Sequence, residues 1–483
     1  MAAPDNDVVI GLEVHIQLTN LNTKLFCGCS NDYRGKDPNT VTCPVCLGLP
    51  GSLPVLNKKA VEFATRLALA LNCKINEEFY FFRKNYFYPD MSKNFQISQY
   101  NKAGGKAFGD GGYVDIKIED TPKRINLNRI HLEEDPARLV HKGSIAKSPF
   151  TLVDYNRSGV TLIEIVSEPE MSSPQEAREY LNQLKSIVQY TGISDLDLDG
   201  SCRVDANISI KGHPRSETKN ISSFKEVERA LEFEIRRQRN LIKQGRETIQ
   251  ETRHWDDKKR ITIGLRTKEF EKDYRYFPEQ DLVPITLDKE FIKKVENELP
   301  EMPNERKQRL REQYDLSEFS SDILVIDKAL ADFFEETAKL EKDFGPEEYG
   351  EICNWIMGYI SRWLNENEKS IGQTKLVPEM LKQLVVLINE GKITGKIAKT
   401  FIEDMMRGIP PKKLMEKTGK VRIGDEEKIL TVVREVISEN PQIVEDYQKN
   451  PKALQALIGR CMAKTKGRID PEMARDILKK ELE

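Results

Sequence analysis

GLEVHIQL, residues 11–18, sets the apolar Leu12, Val14, Ile16 and Leu18 in alternation with the polar Glu13, His15 and Gln17. A period of two sends successive side chains to opposite faces, so this is a strand with one buried and one polar face. RVDANISI, residues 203–210, repeats the device: Val204, Ala206, Ile208 and Ile210 against Arg203, Asp205, Asn207 and Ser209. Two strands therefore each present a row of polar groups. Helical spacing appears between and after them. Ser173 as N-cap, Pro174 at the first helical position and Glu176 as the partner of a capping box open a helix whose apolar face is Tyr180, Leu184, Ile187 and Val188. A second helix is predicted from about Phe224 to Ile242, with Val227, Leu231 and Ile235 inward and Arg236, Arg237 and Arg239 near its end, where cations suit the dipole. Intermixed strands and helices with hairpin-like connections favour an α+β fold over a doubly wound sheet. The Gly-rich stretch Gly104–Gly112 lacks the P-loop spacing and reads as a hairpin loop.

The chain has 483 residues, too many for one ordinary core when domains run to roughly 100–200 residues. Breaks at Pro300–Pro303 and near Pro410–Pro411 give an expected division into 1–299, 300–408 and 409–483, the last two parts helical. Hydrophobic residues make up 39% and charged residues 32%, and no stretch approaches the ~20 apolar residues that span a bilayer. No Lys or Arg precedes the first apolar run, unlike a secretory signal or transit peptide, so a cytoplasmic location is expected. A net charge of −3 argues against nucleic-acid binding by the whole surface. Residues 391–483 nonetheless hold 20 Lys/Arg against 15 Asp/Glu. Lys396, Lys464, Lys466 and Arg468 in that tail sit in small-residue turns suited to phosphate contacts, although basic runs are more often solvated helical faces.

Four of the eight cysteines form two close pairs, Cys27-x-Cys29 and Cys43-x-x-Cys46, separated by thirteen residues. In a reducing compartment that spacing points to a structural Zn²⁺ with four thiolate ligands, a closed site that fastens a loop and leaves no position for catalysis. Glu13 and His15 lie two apart on one strand face, within reach of a single ion. Glu133, Glu134 and Asp135 crowd three carboxylates together, and Glu164 interrupts an apolar run where an unpartnered charge is costly. Convergence of these segments would hold Mg²⁺ against nucleotide phosphates. Arg83, Lys84, Arg203 and Lys219, in dense polar–aromatic segments, are the candidate cations facing the transferred phosphoryl group, with Tyr86, Phe87 and Tyr88 packed beneath Arg83 and Lys84 as the wall of the site.

Several long motifs resemble the GatB family of tRNA-dependent amidotransferase subunits. They are VIGLEVHIQL (Val9–Leu18), FRKNYFYPDMSKNFQISQ (Phe82–Gln99), HLEEDPARLVH (His131–His141), VDYNRSGVTLIEIVSEPE (Val153–Glu170), SCRVDANIS (Ser201–Ser209), KNISSFKEVERAL (Lys219–Leu231) and DYRYFPEQDLVP (Asp273–Pro284). The resemblance implies a cradle domain with a core like glutamine synthetase and guanidino kinases, then a helical domain and a YqeY-like tail that touches tRNA. It assigns Mg²⁺ to Glu13, His15, Glu134 and Glu164, and Zn²⁺ to Cys27, Cys29, Cys43 and Cys46. It places ATP and substrate against Arg83, Tyr88, Asp90, Arg203, Asp205, Asn207, Lys219 and Asn220, and makes Lys84 a catalytic cation. Pro136-Ala137-Arg138 and Ser222 depart from the family pattern, leaving the roles of Arg138 and Ser222 open. The related GatE subunits carry a large inserted domain for which residues 290–483 have no room.

The resemblance implies amidation of the Glu or Asp esterified to tRNA. A carboxylate does not accept ammonia directly, because its leaving group would be oxide, so ATP must first convert it to an acyl phosphate. The chain has no Ser-Lys amidase pattern, so a GatA-like glutaminase is implied as the ammonia source, with a GatC-like small subunit. A misacylating aminoacyl-tRNA synthetase is a further candidate partner. A zinc-held RNA-binding scaffold would leave Glu13, His15 and Glu164 without a task, and a free-standing amide ligase would leave the basic tail without one.

Overall fold

In the computed structural model the chain divides into two units, Met1–Pro303 and Asn304–Glu483. The described residues are 7–482, except 103, 120, 142–147, 222, 268–270, 419–425, 451–452 and 466–467. The first unit is built on a ten-stranded sheet. Its centre comprises β1 (Val8–Gln17), β4 (Thr121–Glu134), β7 (Thr161–Ser167), β8 (Cys202–Ile210) and β9 (Ser216–Ile221). Beside the sheet lie the hairpin β2 (Phe82–Asn85) with β3 (Phe95–Ser98) and the pair β5 (Arg138–His141) with β6 (Thr151–Asp154). Across the centre the order is β9-β8-β1-β7-β4, every neighbouring pair antiparallel.

The register explains the function of the alternation. His15 sits opposite Arg203 on β8 and Glu164 on β7, and Glu13 sits opposite Asp205. The two polar rows therefore merge across neighbouring strands. On the reverse face Ile10, Leu12, Val14 and Ile16 join Val204, Ala206, Ile208, Ile163 and Ile165 in a buried core. Helices α1 (Pro174–Thr191) and α2 (Phe224–Lys243) pack into that core through Tyr180, Leu184, Val188, Val227, Leu231 and Ile235. Ser173 and Ser223 cap them by accepting from the backbone N–H groups of Glu176 and Glu226. The Glu176 carboxylate closes its capping arrangement on the N–H of Ser172 rather than that of Ser173.

From Pro303 onward every described element is helical. Two separate cores form, one from residues 310–414 and one from residues 429–478. The helix Pro411–Thr418 buries Leu414 in the first of these, so that core runs past residue 408. In the same unit Glu335 accepts from both Arg306 and Arg309, which hold its carboxyl at about 2 against the cost of burial. No described helix is long and apolar enough to cross a membrane.

Candidate active site and metal clusters

The merged polar face opens into a cavity of about 620 Å³. Glu13 and His15 line it, and they and the buried Glu164 bring one ligand atom each to within 4.8 Å of one another. His15 Nε2 lies 3.5 Å from Glu13 and 3.8 Å from Glu133, while its buried Nδ1 has no hydrogen-bond partner. Burial, then the neighbouring charges of Glu164 and Asp205, push the Glu13 carboxyl up to about 7. Burial likewise raises Glu133 and, with Arg203 alongside, holds His15 below its usual value and neutral. Burial also keeps His131 neutral, and its Nδ1 lies 2.9 Å from Glu164 Oε2. Burial alone would raise Glu164, but the His131 hydrogen bond and the positive charge of Arg129 outweigh it and keep this carboxylate ionised. Two carboxylates and a neutral imidazole, with an orphaned ring nitrogen and surplus negative charge, fit a hard divalent cation such as Mg²⁺.

Cations stand around the same cavity. Lys84 is raised well above its usual value: burial opposes its charge, but Tyr276, Glu133 and Glu164 stabilise it. Among the described residues it has no ion-pair partner within 4.0 Å, and it lies 5.2 Å from the Tyr274 ring centre. Arg203 reaches Asp135 at 3.8 Å, and Lys219 donates to Asp205 at 2.8 Å. Asp90 and Asp205 also line the cavity, together with Asp273, Tyr274 and Arg275, which the sequence motifs did not assign.

Several expectations are corrected. Glu134 is not part of the ligand group. Strand alternation turns it away from His131 and Glu133, and it accepts from Lys93 at 2.5 Å and from the backbone N–H of Ile97 at 2.8 Å. Glu133 takes its place beside His15, and counting by twos from His131 is the signal that finds it. Arg83 does not face the cavity; Glu279 holds its guanidinium through two bonds of 2.8 and 2.7 Å, and Asp281 adds a third. Tyr86, Phe87 and Tyr88 do line the cavity, but Phe87 and Tyr88 are 68% and 51% exposed rather than packed beneath Arg83 and Lys84. Asn207 is half-buried on β8 with an unpartnered Oδ1. In the tail, Lys464 is paired with Glu439 at 2.5 Å and Glu435 at 2.9 Å, while Lys396 and Arg468 are exposed. The Asn220 side chain, Ser222 and Lys466 lie outside the described residues.

Cys27, Cys29, Cys43 and Cys46 form a second cluster, their sulfurs also within 4.8 Å of one another. Tetrahedral zinc with Zn–S near 2.3 Å would separate sulfurs by about 3.8 Å, so the set fits Zn²⁺. A hydrogen bond from Cys27, aided by Lys24, draws the Cys46 thiol down to about 5. The loop is fastened to the segments that precede β3 and β7, because the Cys46 carbonyl accepts from Ser92 and Ser158. Gly159, at φ +83, admits this approach; a Cβ there would lie 3.3 Å from that of Cys46.

Fold and site thus define an α+β protein with an acidic, cation-rimmed site on one face of an antiparallel sheet. Residues 8–293 match the GatB/GatE catalytic domain and residues 332–482 the GatB domain. The B-type subunit of the aspartyl/glutamyl-tRNA(Asn/Gln) amidotransferase of Sulfolobus acidocaldarius is 49% identical over 477 residues, 98% of this chain and 99% of that protein. The corresponding Carboxydothermus hydrogenoformans protein is 46% identical over 485 residues, covering 99% and 98%, and that of Methanococcoides burtonii 45% over 481 residues, covering 98% of each. The chain belongs to the GatB family and is a ligase subunit of a tRNA-dependent amidotransferase.

Proposed function

We propose that this chain activates the side-chain carboxylate of Glu or Asp esterified to tRNA(Gln) or tRNA(Asn) by phosphorylation from ATP. Ammonia from a GatA-like glutaminase subunit then converts it to the amide, with a GatC-like subunit completing the assembly. A carboxylate oxygen attacks the γ-phosphorus, the bond to the β-phosphate oxygen breaks and ADP leaves. The ammonia lone pair then attacks the acyl carbon, the C–O bond to phosphate breaks, and inorganic phosphate departs with that oxygen.

Glu13, His15 and Glu164 would hold Mg²⁺, with Glu133 beside His15. A bound divalent ion would neutralise phosphate charge. Lys84 and Arg203 stabilise the charge developing on the transferred group, acting from fixed positions in a partly buried site. His131 orients Glu164 through its Nδ1 contact with Oε2. Asp205 and Glu217 hold Lys219 at the cavity edge. The basic tail, through Lys396 and Arg468, contacts tRNA, and the four cysteines bind zinc that secures their loop.

The observation that carries this reading is the convergence of the Glu13, His15 and Glu164 ligand atoms at a cavity that Glu13, His15, Lys84 and Arg203 line, in a GatB-family chain. The test is to supply the purified assembly with ATP, glutamine and each misacylated tRNA in turn. ATP-dependent formation of Gln-tRNA or Asn-tRNA is expected. Amide formation without ATP, or none from either tRNA, would reject the reading.

A further inference from the structure

A second cavity, of about 450 Å³, adjoins the first and has a different charge. Arg34, Lys36, Arg138 and Arg157 line it against Asp154 and Asp199. We infer that this cavity binds a backbone phosphate of the tRNA acceptor end; the inference rests on the proposed tRNA substrate.

Two of the arginines are held mainly by uncharged acceptors and so retain positive charge in fixed positions. Arg34 donates to the Asp199 carbonyl at 2.9 Å and to Gln17 Oε1 at 2.6 Å. Arg157 donates to the carbonyls of Pro136 and Ala137 at 2.9 and 2.8 Å, and the Asp135 carboxylate 3.7 Å away is shared with Arg203. The other two cations are free to meet a ligand: Lys36 and Arg138 are exposed and, among the described residues, have no carboxylate within 4.0 Å. Against these four cations the lining sets only two carboxylates, Asp154 and Asp199, so a positive excess remains, and the Asp154 Oδ1 is held by the backbone N–H groups of Asn39 and Asn156. Arginines preset by neutral partners and facing open space form an anion site.

The position selects among anions. Arg138 and Leu139 are consecutive on β5, and alternation directs Arg138 into this cavity and Leu139 into the reaction cavity, which Pro136 also lines. The two cavities share a wall one strand thick. The nucleotide that donates the phosphoryl group belongs with the carboxylate–imidazole cluster, which the second cavity lacks. A chain whose esterified end enters the first cavity carries its own phosphates past the second. Arg34 and Lys36 lie in the loop between Cys29 and Cys43, so clamping the thiol pairs fixes these cations.

The experiment measures binding of unacylated tRNA(Gln) and tRNA(Asn) transcripts, and of the same transcripts lacking their last four nucleotides, to the assembled enzyme and its Lys36→Ala/Arg138→Ala variant. ATP and glutamine are omitted, so the readout does not depend on catalysis. Both side chains are exposed and unpaired, so the fold does not rely on them. The variant is expected to bind the full transcripts about tenfold more weakly, with a salt slope smaller by about 1–2, and to bind the shortened ones as the wild type does. In turnover its KM for tRNA rises while kcat and the KM for ATP stay unchanged. Unchanged affinity and slope, an equal loss with the shortened transcripts, or a raised KM for ATP alone would overturn the inference. Failure of the wild type to bind any transcript would instead remove the tRNA-substrate reading, and this assignment with it.

Discussion

Glu133 and Glu134 are neighbours in sequence, equally buried, and belong to different regions of the molecule. Glu134 points toward the cysteine loop. There Lys93 neutralises it and the Ile97 N–H satisfies its second oxygen, while the next serine along, Ser92, ties down the Cys46 carbonyl. Glu133 points into the reaction cavity, where Ser98 donates to it, His15 is held neutral, and no Lys or Arg lies within 4.0 Å among the described residues. One region is closed, each charge matched within the protein. The other leaves negative charge for a cation and a substrate to complete. The difference separates a carboxylate paired within the protein from one that the proposed function assigns to the chemistry, and neither burial nor sequence position alone makes that distinction.

Breaking each side of the comparison should give different losses. Glu133→Gln is expected to lower kcat for amidation by about 10³-fold, near 4 kcal/mol of transition-state stabilisation, with the melting temperature nearly unchanged. Glu134→Gln should do the reverse. It leaves Lys93 charged and buried without its partner and costs about 3 kcal/mol of stability in a denaturant titration, while the folded fraction keeps its activity. Equal effects of the two substitutions on kcat would erase the distinction. His131→Gln removes the group that orients Glu164 and should cost about 10–100-fold in kcat/KM or in Mg²⁺ affinity. Cys46→Ser should release zinc, measured by metal analysis, and lower the melting temperature, with kcat of the folded enzyme changing by less than about tenfold. A Cys46→Ser variant as inactive as Glu133→Gln would move the cysteine cluster into the chemistry.

Much of this arrangement is legible in the sequence, and the exceptions have physical causes. The alternation in Gly11–Leu18 and Arg203–Ile210 marks polar faces because one side of each strand must be buried, and the register then joins the two rows. The cysteine spacing marks its cluster because two short pairs on a turn-rich loop have few other arrangements. The parity of the acidic run is obscured because Glu133, Glu134 and Asp135 are all carboxylates, and only their distance from His131 tells which face each takes. Arg83 looks like a phosphate ligand until the fold brings Glu279 to it from 196 residues away, a pairing with no local signature. Lys464 likewise meets Glu435 and Glu439 only through helix packing.

The central claim is that the cavity above Glu13, His15, Glu133 and Glu164 converts a tRNA-bound carboxylate into an acyl phosphate. The direct measurement is to charge tRNA(Gln) or tRNA(Asn) with glutamate or aspartate carrying oxygen-18 in the side-chain carboxylate, then follow the label through one turnover of the assembled enzyme with ATP and ammonium. Oxygen-18 is expected in the inorganic phosphate released by the wild type, and with Glu133→Gln the same label is expected to appear about 10³-fold more slowly. Amide formed while the phosphate remains unlabelled would contradict the central claim.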